Sequence, residues 1–195
     1  MDKRIALFGG TFNPIHNGHV EMAKKVLSLD VVEKLIIMPT FQPPHKDAPM
    51  LVSGEHRLNM CKIALCELDN VEFSSLELEL EGLSYTYNTL CKMQELYDKK
   101  IALVCGGDMI TTFSGWYRYK DILKMADLIA FRRVGVDNNN FDAAVAALKA
   151  DGGKITVIDS NITDVSSSVV RAGDFSQLPP KVLEYIKENN LYGVL

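Results

Sequence analysis

The 195-residue sequence has few cysteines, and their spacing argues against a disulfide or zinc framework. The four cysteines form no Cys-x-x-Cys pair and have the apolar neighbours of core positions; they are Cys61, Cys66, Cys91 and Cys105. His56 precedes Cys61 by five residues, and Cys66 follows by five more. Steps of five residues rotate by about 140° around a helix and place these side chains on different faces. We therefore expect no metal site built by the chain itself.

Long hydrophobic runs and an excess of basic charge are also missing. The first apolar run, residues 5–8, stops at Gly9 and Gly10, too early for a signal-peptide core, and no later run reaches membrane-spanning length. Lys and Arg number 21 against 25 Asp and Glu, a formal net charge of −4. This balance argues against general nucleic-acid binding but allows a local basic pocket for a small anion. We expect a cytoplasmic protein that engages neither membranes nor nucleic acid.

The rest of the composition is that of an ordinary globular chain, with 47% hydrophobic and 24% charged residues. The length favours a single domain over residues 1–195 rather than two very small ones. A domain of this length buries roughly 70% of the surface of its unfolded chain, so it can fold without disulfides or metals.

Short apolar runs alternate with helical patterns along the whole chain. The expected strands are residues 5–8, 34–38, 71–80, 101–105, 128–131 and 155–158. The expected helices are residues 20–29, 53–68, 84–97 with Ser84 as its cap, 141–150 and 182–189. Continuous apolar strands between helices predict an α/β fold with a doubly wound, Rossmann-like parallel sheet and helices on both faces. Ligands bind beyond the carboxyl ends of such strands, so we expect the site at loops 9–19 and 106–116.

The first of these loops is rich in glycine and histidine. It reads Gly9-Gly10-Thr11-Phe12-Asn13-Pro14-Ile15-His16-Asn17-Gly18-His19. The leading glycines let backbone N–H groups approach a ligand, and two histidines at a helix start add ring donors that suit phosphate oxygens. The loop lacks the endings of a P-loop and the spacing of a dinucleotide fingerprint. Alternatively, the glycines are turn residues and the histidines incidental, but the position after the first parallel strand favours a ligand role.

His16-Asn17-Gly18-His19 resembles the H-x-G-H motif of the nucleotidylyltransferase superfamily, and later motifs narrow the match to the bacterial nicotinate-mononucleotide adenylyltransferase family. The similarity extends from Gly9 to Tyr192. It implies transfer of the adenylyl group of ATP to nicotinate mononucleotide, giving nicotinate adenine dinucleotide and pyrophosphate in NAD biosynthesis. Magnesium is expected to arrive with ATP, held mainly by phosphates and water.

The later motifs follow in the family's order. Residues 39–46 are similar to its proline-rich loop, and residues 84–90 to its S-Y-T-x-D-T-L segment, with Asn88 where the family has aspartate. Residues 106–108 resemble its G-x-D element. Residues 165–171 resemble I-S-S-T-x-I-R with Ser168 for threonine, and residues 133–135 resemble R-P-G with valine for proline.

The resemblance implies a role for each candidate residue. The catalytic set is His16, His19, Lys46 and Arg171. The ATP-binding set is Gly9, Gly10, Thr11, Phe12, Gly18, Gly106, Asp108, Arg133, Ser167 and Ser168. The mononucleotide-binding set is Ser84, Tyr85, Thr86, Trp116 and Tyr117, with Trp116 stacking on the nicotinate ring. The simpler alternatives are an exposed lysine, serine helix caps, an exposed arginine and a core tryptophan.

Two other functions stay open at this point. Pantetheine-phosphate adenylyltransferase shares H-x-G-H but does not account for Ser84-Tyr85-Thr86 together with Trp116. A nucleotide-binding regulatory module without catalysis would not need both histidines, Lys46 and Arg171. The sequence leaves open the choice between nicotinate and nicotinamide mononucleotide, and it allows a homo-oligomer.

Overall fold

Six parallel strands form one sheet in the computed structural model, which describes residues 3–41, 50–80, 84–133, 137–160 and 166–194. The strand order is β3-β2-β1-β4-β5-β6. The strands are β1 (Arg4–Gly10), β2 (Val32–Pro39), β3 (Val71–Phe73), β4 (Ile101–Cys105), β5 (Ala126–Arg133) and β6 (Ile155–Ser160). The predicted doubly wound α/β fold is confirmed.

Helices cover both faces of this sheet. Within the described ranges they are α1 (Asn17–Leu27), α2 (Gly54–Ala64), α3 (Leu76–Glu79), α4 (Thr86–Leu96), α5 (Gly107–Thr112), α6 (Tyr119–Met125), α7 (Asn139–Ala150), α8 (Ser167–Arg171) and α9 (Pro180–Glu188). Side chains of β1 alternate between two apolar cores because successive strand residues point to opposite faces. Ala6 and Phe8 pack with α1, α2 and α9, whereas Ile5 and Leu7 pack with α4, α6 and α7. Among the described helices, each is too short or too polar to cross a bilayer.

The neighbouring strands β1 and β4 form the point at which the strand order reverses. After β1 the chain turns to α1 on one face of the sheet, and after β4 it turns to α5 on the other. The two connections therefore separate and leave a crevice at the carboxyl ends of these strands. Residues 9–19, which we call the glycine and histidine turn, lie at this edge of the sheet together with Gly106.

The interpretation of residues 71–80 as one strand is wrong after residue 73. β3 ends at Phe73, and α3 begins at Leu76. Alternating leucine and glutamate over residues 76–80 imitates a strand, but two serines start a helix locally. The Ser74 hydroxyl accepts the Leu76 N–H at 3.2 Å, and the Ser75 hydroxyl donates to the Glu79 carboxylate at 2.6 Å. Such short-range bonds compete with strand pairing.

Two local predictions near the site are also corrected. Ser84 does not cap α4, because Tyr85 holds the N-cap position and the Ser84 hydroxyl accepts the Phe41 N–H at 3.1 Å. Residues 106–116, expected as a loop, form α5 and a 3-10 turn over Phe113–Gly115. Both corrections matter for function because Ser84 and this turn lie beside the crevice.

Candidate active site

A cavity of about 430 Å³ opens at the carboxyl ends of β1, β4 and β5. All residues predicted to bind ATP line this cavity, together with three of the four predicted catalytic residues. These are Gly9, Gly10, Thr11, Phe12, His16, Gly18, His19, Gly106, Asp108, Arg133, Ser167, Ser168 and Arg171. Lys46, the fourth catalytic candidate, lies outside the described residues. The fold thus brings together residues as far apart in the chain as Gly9 and Arg171.

His16 and His19 lie at the first turn of α1. His16 is the N-cap residue, and its ring stacks on the His19 ring with 3.7 Å between centroids. The His16 N–H donates to His19 Nδ1 at 3.2 Å. Because Nδ1 is an acceptor, the neutral His19 ring carries its proton on Nε2. His19 is therefore built to donate from Nε2.

Burial sets the charge of His16. Desolvation lowers the pKa of His16 from 6.5 to about 4. Its Nδ1 is buried and has no hydrogen-bond partner among the described residues. At neutral pH the ring is therefore uncharged and retains one N–H. The pair offers oriented donors rather than two full positive charges.

The short helix α8 brings serines and Arg171 to the glycine and histidine turn. Ser166 caps the helix by accepting the Val169 N–H at 3.3 Å. The Ser167 hydroxyl donates to the Pro14 carbonyl at 2.8 Å. Arg171 Nη1 donates to the Asn13 carbonyl at 2.6 Å, and its Nη2 to Ser168 Oγ at 3.3 Å. In this arrangement Arg171 holds the turn while its side chain lines the cavity.

The connection after β4 supplies the opposite wall. Gly107 begins α5 and lies against the end of β5, since a Cβ there would be 3.4 Å from the Phe131 carbonyl oxygen, about van der Waals contact. Asp108 follows in the first turn of the helix. Arg133, at the end of β5, lies in the same wall. The neighbouring Arg132 is paired with Asp159 at 2.7 Å.

A second cavity, of about 560 Å³, lies on the other side of β1. All five residues predicted for the mononucleotide line it: Ser84, Tyr85, Thr86, Trp116 and Tyr117. The Trp116 ring stacks on Phe113 with 4.7 Å between centroids and 25° between planes, which fixes its orientation. Tyr117 is 51% exposed, and its ring centroid lies 5.1 Å from that of Tyr85. The cavity is therefore lined by aromatic rings on one side.

Glu77 and Thr40 add buried polar atoms to the second cavity. Glu77 is 6% exposed, and its Oε1 accepts the Thr89 hydroxyl at 2.5 Å. In the described structure, Glu77 Oε2 and Thr40 Oγ1 have no hydrogen-bond partner. Burial raises the pKa of the Glu77 carboxyl, although hydrogen bonds from Thr89 and Ser84 oppose the shift. Unpaired buried polar atoms are costly, so a ligand that pairs with them would gain affinity.

The two cavities meet at the reversal point of the sheet. Gly9, Gly10 and Thr11 line both, as do Asp108 and Met109. A ligand in one cavity can therefore touch a ligand in the other across the glycine turn. The first cavity offers donors for an anion and the second offers aromatic faces, so the arrangement suits two different substrates.

The chain is similar to known proteins over most of its length. Residues 7–173 match the family model described as Cytidylyltransferase-like. A Streptococcus pyogenes protein named "Probable nicotinate-nucleotide adenylyltransferase" is 31% identical over 199 residues, covering 97% of this chain and 89% of its own length. A Hydrogenobaculum protein of the same name is 33% identical over 192 residues, covering 96% and 97%. The chain belongs to the nicotinate-nucleotide adenylyltransferase family.

A solved structure agrees with this placement at the level of the fold. The "Plasmodium falciparum nicotinic acid mononucleotide adenylyltransferase complexed with NaAD" superposes with a TM-score of 0.81 at 21% identity, covering 98% of both chains. The resemblance to the nicotinate-nucleotide adenylyltransferase family, drawn from the motifs, is confirmed. The role of each candidate residue remains a prediction.

Three buried polar residues of this nicotinate-nucleotide adenylyltransferase family member, Arg57, Glu77 and Tyr192, carry no functional signal in the sequence. Arg57 donates to the Thr11 carbonyl at 2.8 Å, and the Tyr192 hydroxyl donates to Asn13 Oδ1 at 2.7 Å. Glu77 appeared as one member of a leucine and glutamate alternation. Each pairs with a residue 12 to 179 positions away, so no local spacing marks the contact.

Proposed function

We propose that the protein transfers the adenylyl group of ATP to nicotinate mononucleotide, giving nicotinate adenine dinucleotide and pyrophosphate. The observation that carries this proposal is the pair of cavities that meet at Gly9, Gly10 and Thr11. ATP fits the cavity with histidine, serine and arginine donors, and the mononucleotide fits the aromatic one. The α-phosphorus of ATP and the 5′-phosphate of the mononucleotide then meet at the glycine turn, where the two cavities join.

The chemistry needs alignment more than it needs a proton acceptor. The 5′-phosphate is already an anionic nucleophile, so no general base or covalent intermediate is required. The protein holds it in line with the α-phosphorus and spreads the negative charge that grows there. His19 Nε2 and the neutral His16 ring donate to the α-phosphate. Backbone N–H groups around Gly10 and Thr11 complete the binding of that group.

Two cations extend this binding toward the leaving pyrophosphate. Arg171 already lies in the wall of the ATP cavity, with its planar guanidinium beside Ser168. A guanidinium binds phosphate oxygens in a bidentate geometry. Lys46 is proposed as the second cation because its motif resembles the phosphate-binding loop of the family. Both would hold β- and γ-phosphate oxygens.

Magnesium is proposed to enter with ATP. Among the described residues, no group of three histidine, cysteine or acidic side chains could hold a metal ion, and Asp108 is the one carboxylate in the ATP cavity. One carboxylate is too few to hold a magnesium ion by itself, so the ion would be held mainly by phosphates and water, with Asp108 in the same cavity. When bound, magnesium neutralises phosphate charge.

The nicotinate ring is proposed to lie against Trp116, with its carboxylate toward the start of α4. That helix begins at Thr86, and the first N–H groups of a helix lack partners within it. These groups lie at the positive end of the helix dipole, which favours a carboxylate over a neutral carboxamide. We therefore expect nicotinate mononucleotide to be used in preference to nicotinamide mononucleotide. We expect the reaction in the cytoplasm, where ATP is supplied.

The test is a direct comparison of acceptors. The purified protein is incubated with MgATP and, separately, with nicotinate mononucleotide, nicotinamide mononucleotide or phosphopantetheine. Product mass and released pyrophosphate are measured for each. Nicotinate adenine dinucleotide should form fastest. Faster adenylylation of phosphopantetheine would replace the proposed acceptor, and ATP binding without turnover of any acceptor would indicate a regulatory module.

A further inference from the structure

Arg57 is a buried arginine behind the glycine turn. It projects from α2, is 1% exposed, and lines neither of the two cavities. Its Nε donates to the Val52 carbonyl at 3.1 Å, and its Nη1 donates to the Thr11 carbonyl at 2.8 Å. Thr11 lines both cavities, so one hydrogen bond separates this guanidinium from the place where the substrates would meet.

The charge of Arg57 has no acidic partner in the described part of the chain. No carboxylate there lies within 4.0 Å of its guanidinium, and the neighbouring titratable groups are Tyr192 and Cys61. Burial raises the pKa of both groups, so they are uncharged at neutral pH. Arginine stays protonated in proteins, although burial lowers the pKa of Arg57. A buried, unpaired cation is expensive, and a bound anion nearby would offset that cost.

The turn itself shows why such a charge is placed there. A loop that receives phosphates must present N–H groups to them, because carbonyl oxygens would repel the anion. Three carbonyls of the turn are occupied by donors behind or beside it: Thr11 by Arg57, Asn13 by Arg171, and Pro14 by Ser167. Arg171 and Ser167 also line the ATP cavity, whereas Arg57 does not. Arg57 therefore acts on the turn without reaching a ligand.

We propose that Arg57 is a positioning residue for ATP, which holds the Thr11 carbonyl away from the phosphates and places a buried positive charge behind the turn that receives them. This inference rests on the proposed function, since it assigns ATP to the cavity at that turn. Arg57 would support ATP binding through the turn, whereas the donors that line the ATP cavity would contact ATP directly.

The test compares two arginines that carry the same charge. Arg57→Met removes the buried cation. Arg4→Met removes a cation at the opposite end of β1, where Asp127 keeps its second partner, Lys100, at 2.8 Å. Binding of an α,β-methylene analogue of ATP with magnesium is measured by calorimetry, after circular dichroism has shown that each variant is folded. Arg57→Met should bind the analogue about tenfold or more weakly, and Arg4→Met within about twofold of wild type.

Steady-state kinetics distinguish a positioning role of Arg57 from a purely structural one. Arg57→Met should raise the Michaelis constant for ATP at least about fivefold more than that for nicotinate mononucleotide. A purely structural arginine would lower the unfolding midpoint and leave that ratio unchanged. Equal rises in both constants, or analogue binding as tight as in Arg4→Met, would overturn the proposal.

A second variant covers the case in which Arg57→Met does not fold. Arg57→Lys keeps the charge but replaces the two nitrogens that reach the Val52 and Thr11 carbonyls with a single one, so it should bind the analogue about threefold to tenfold more weakly than wild type. Wild-type affinity in Arg57→Lys would overturn the proposal. If the wild type binds the analogue but does not turn over nicotinate mononucleotide, the proposed acceptor fails while the inference about Arg57 stands. If the wild type does not bind the analogue, both fail.

Discussion

At the scale of single residues, the paired histidines combine burial with orientation. Phe8 and Phe12 lie against the His19 ring, with 5.9 Å and 5.1 Å between centroids, and His16 stacks on it from another side. This packing fixes where the ring nitrogens point. Donors fixed in advance stabilise developing charge without reorganising during the reaction. The two rings therefore differ from surface histidines, which are free to turn.

The first prediction concerns His19. His19→Ala should lower kcat by about 10²–10³ because one oriented donor to the α-phosphate is lost. The measurement is the steady-state rate with MgATP and nicotinate mononucleotide. His56→Ala is the matched control, since His56 Nδ1 pairs with the Tyr185 hydroxyl at 2.9 Å and lines neither cavity. A loss below about threefold in folded His19→Ala would remove this residue from the catalytic set.

The second prediction concerns the charge of His16. Its pKa is lowered from 6.5 to about 4 by burial, so the unfolded chain binds this proton more tightly than the folded one. Stability should therefore be lost as the pH falls from 6.5 toward 4. Between pH 7 and pH 4, the wild type should lose roughly 3 kcal/mol more free energy of unfolding than His16→Gln. Urea unfolding at both pH values measures this difference, and parallel losses in the two proteins would contradict it.

At the scale of helices and strands, the sequence predicts fully buried strands well, but it does not predict helices that begin at polar residues. β4 occupies Ile101–Cys105 as predicted, because it is buried over its whole length and its apolar run is unbroken. The strand predicted over residues 71–80 is wrong after residue 73. The serines before α3 form local hydrogen bonds that outweigh the weak alternation of apolar and polar residues. Motifs placed the candidate residues in two cavities, but they could not reveal Arg57 or Glu77. The contacts of these two residues depend on which helices the sheet brings together.

The third prediction concerns the wall made by the 3-10 turn and α4. Phe113–Gly115 places Trp116 with one ring face on Phe113, while Thr86 starts the helix across the second cavity. Trp116→Ala should raise the Michaelis constant for nicotinate mononucleotide about tenfold or more, with a much smaller effect on that for ATP. Trp116→Phe, which keeps an aromatic face, should recover part of the affinity. Equal effects of Trp116→Ala on both constants would contradict ring stacking.

At the scale of the whole molecule, the order of strands makes the site. β1 and β4 are adjacent although 90 residues separate the end of β1 from the start of β4, and the helices after them lie on opposite faces of the sheet. The crevice between these connections joins the two cavities. α8, near the other end of the chain, closes the first cavity by bonding to the turn after β1. This long-range closure explains how a chain with a net charge of −4 gathers donors for phosphate in one place.

The fourth prediction follows from the joined cavities. Nicotinate adenine dinucleotide carries the adenosine and the nicotinate moieties in one molecule, so it can occupy both cavities with a single loss of translational freedom. At equal concentrations it should raise the unfolding midpoint more than ATP or nicotinate mononucleotide alone, because stabilisation grows with affinity. Thermal unfolding with each ligand measures this. Trp116→Ala is the control, as it should reduce the shift given by the dinucleotide while leaving most of the shift given by ATP. A dinucleotide shift no larger than that of ATP would mean that the cavities do not act as one site.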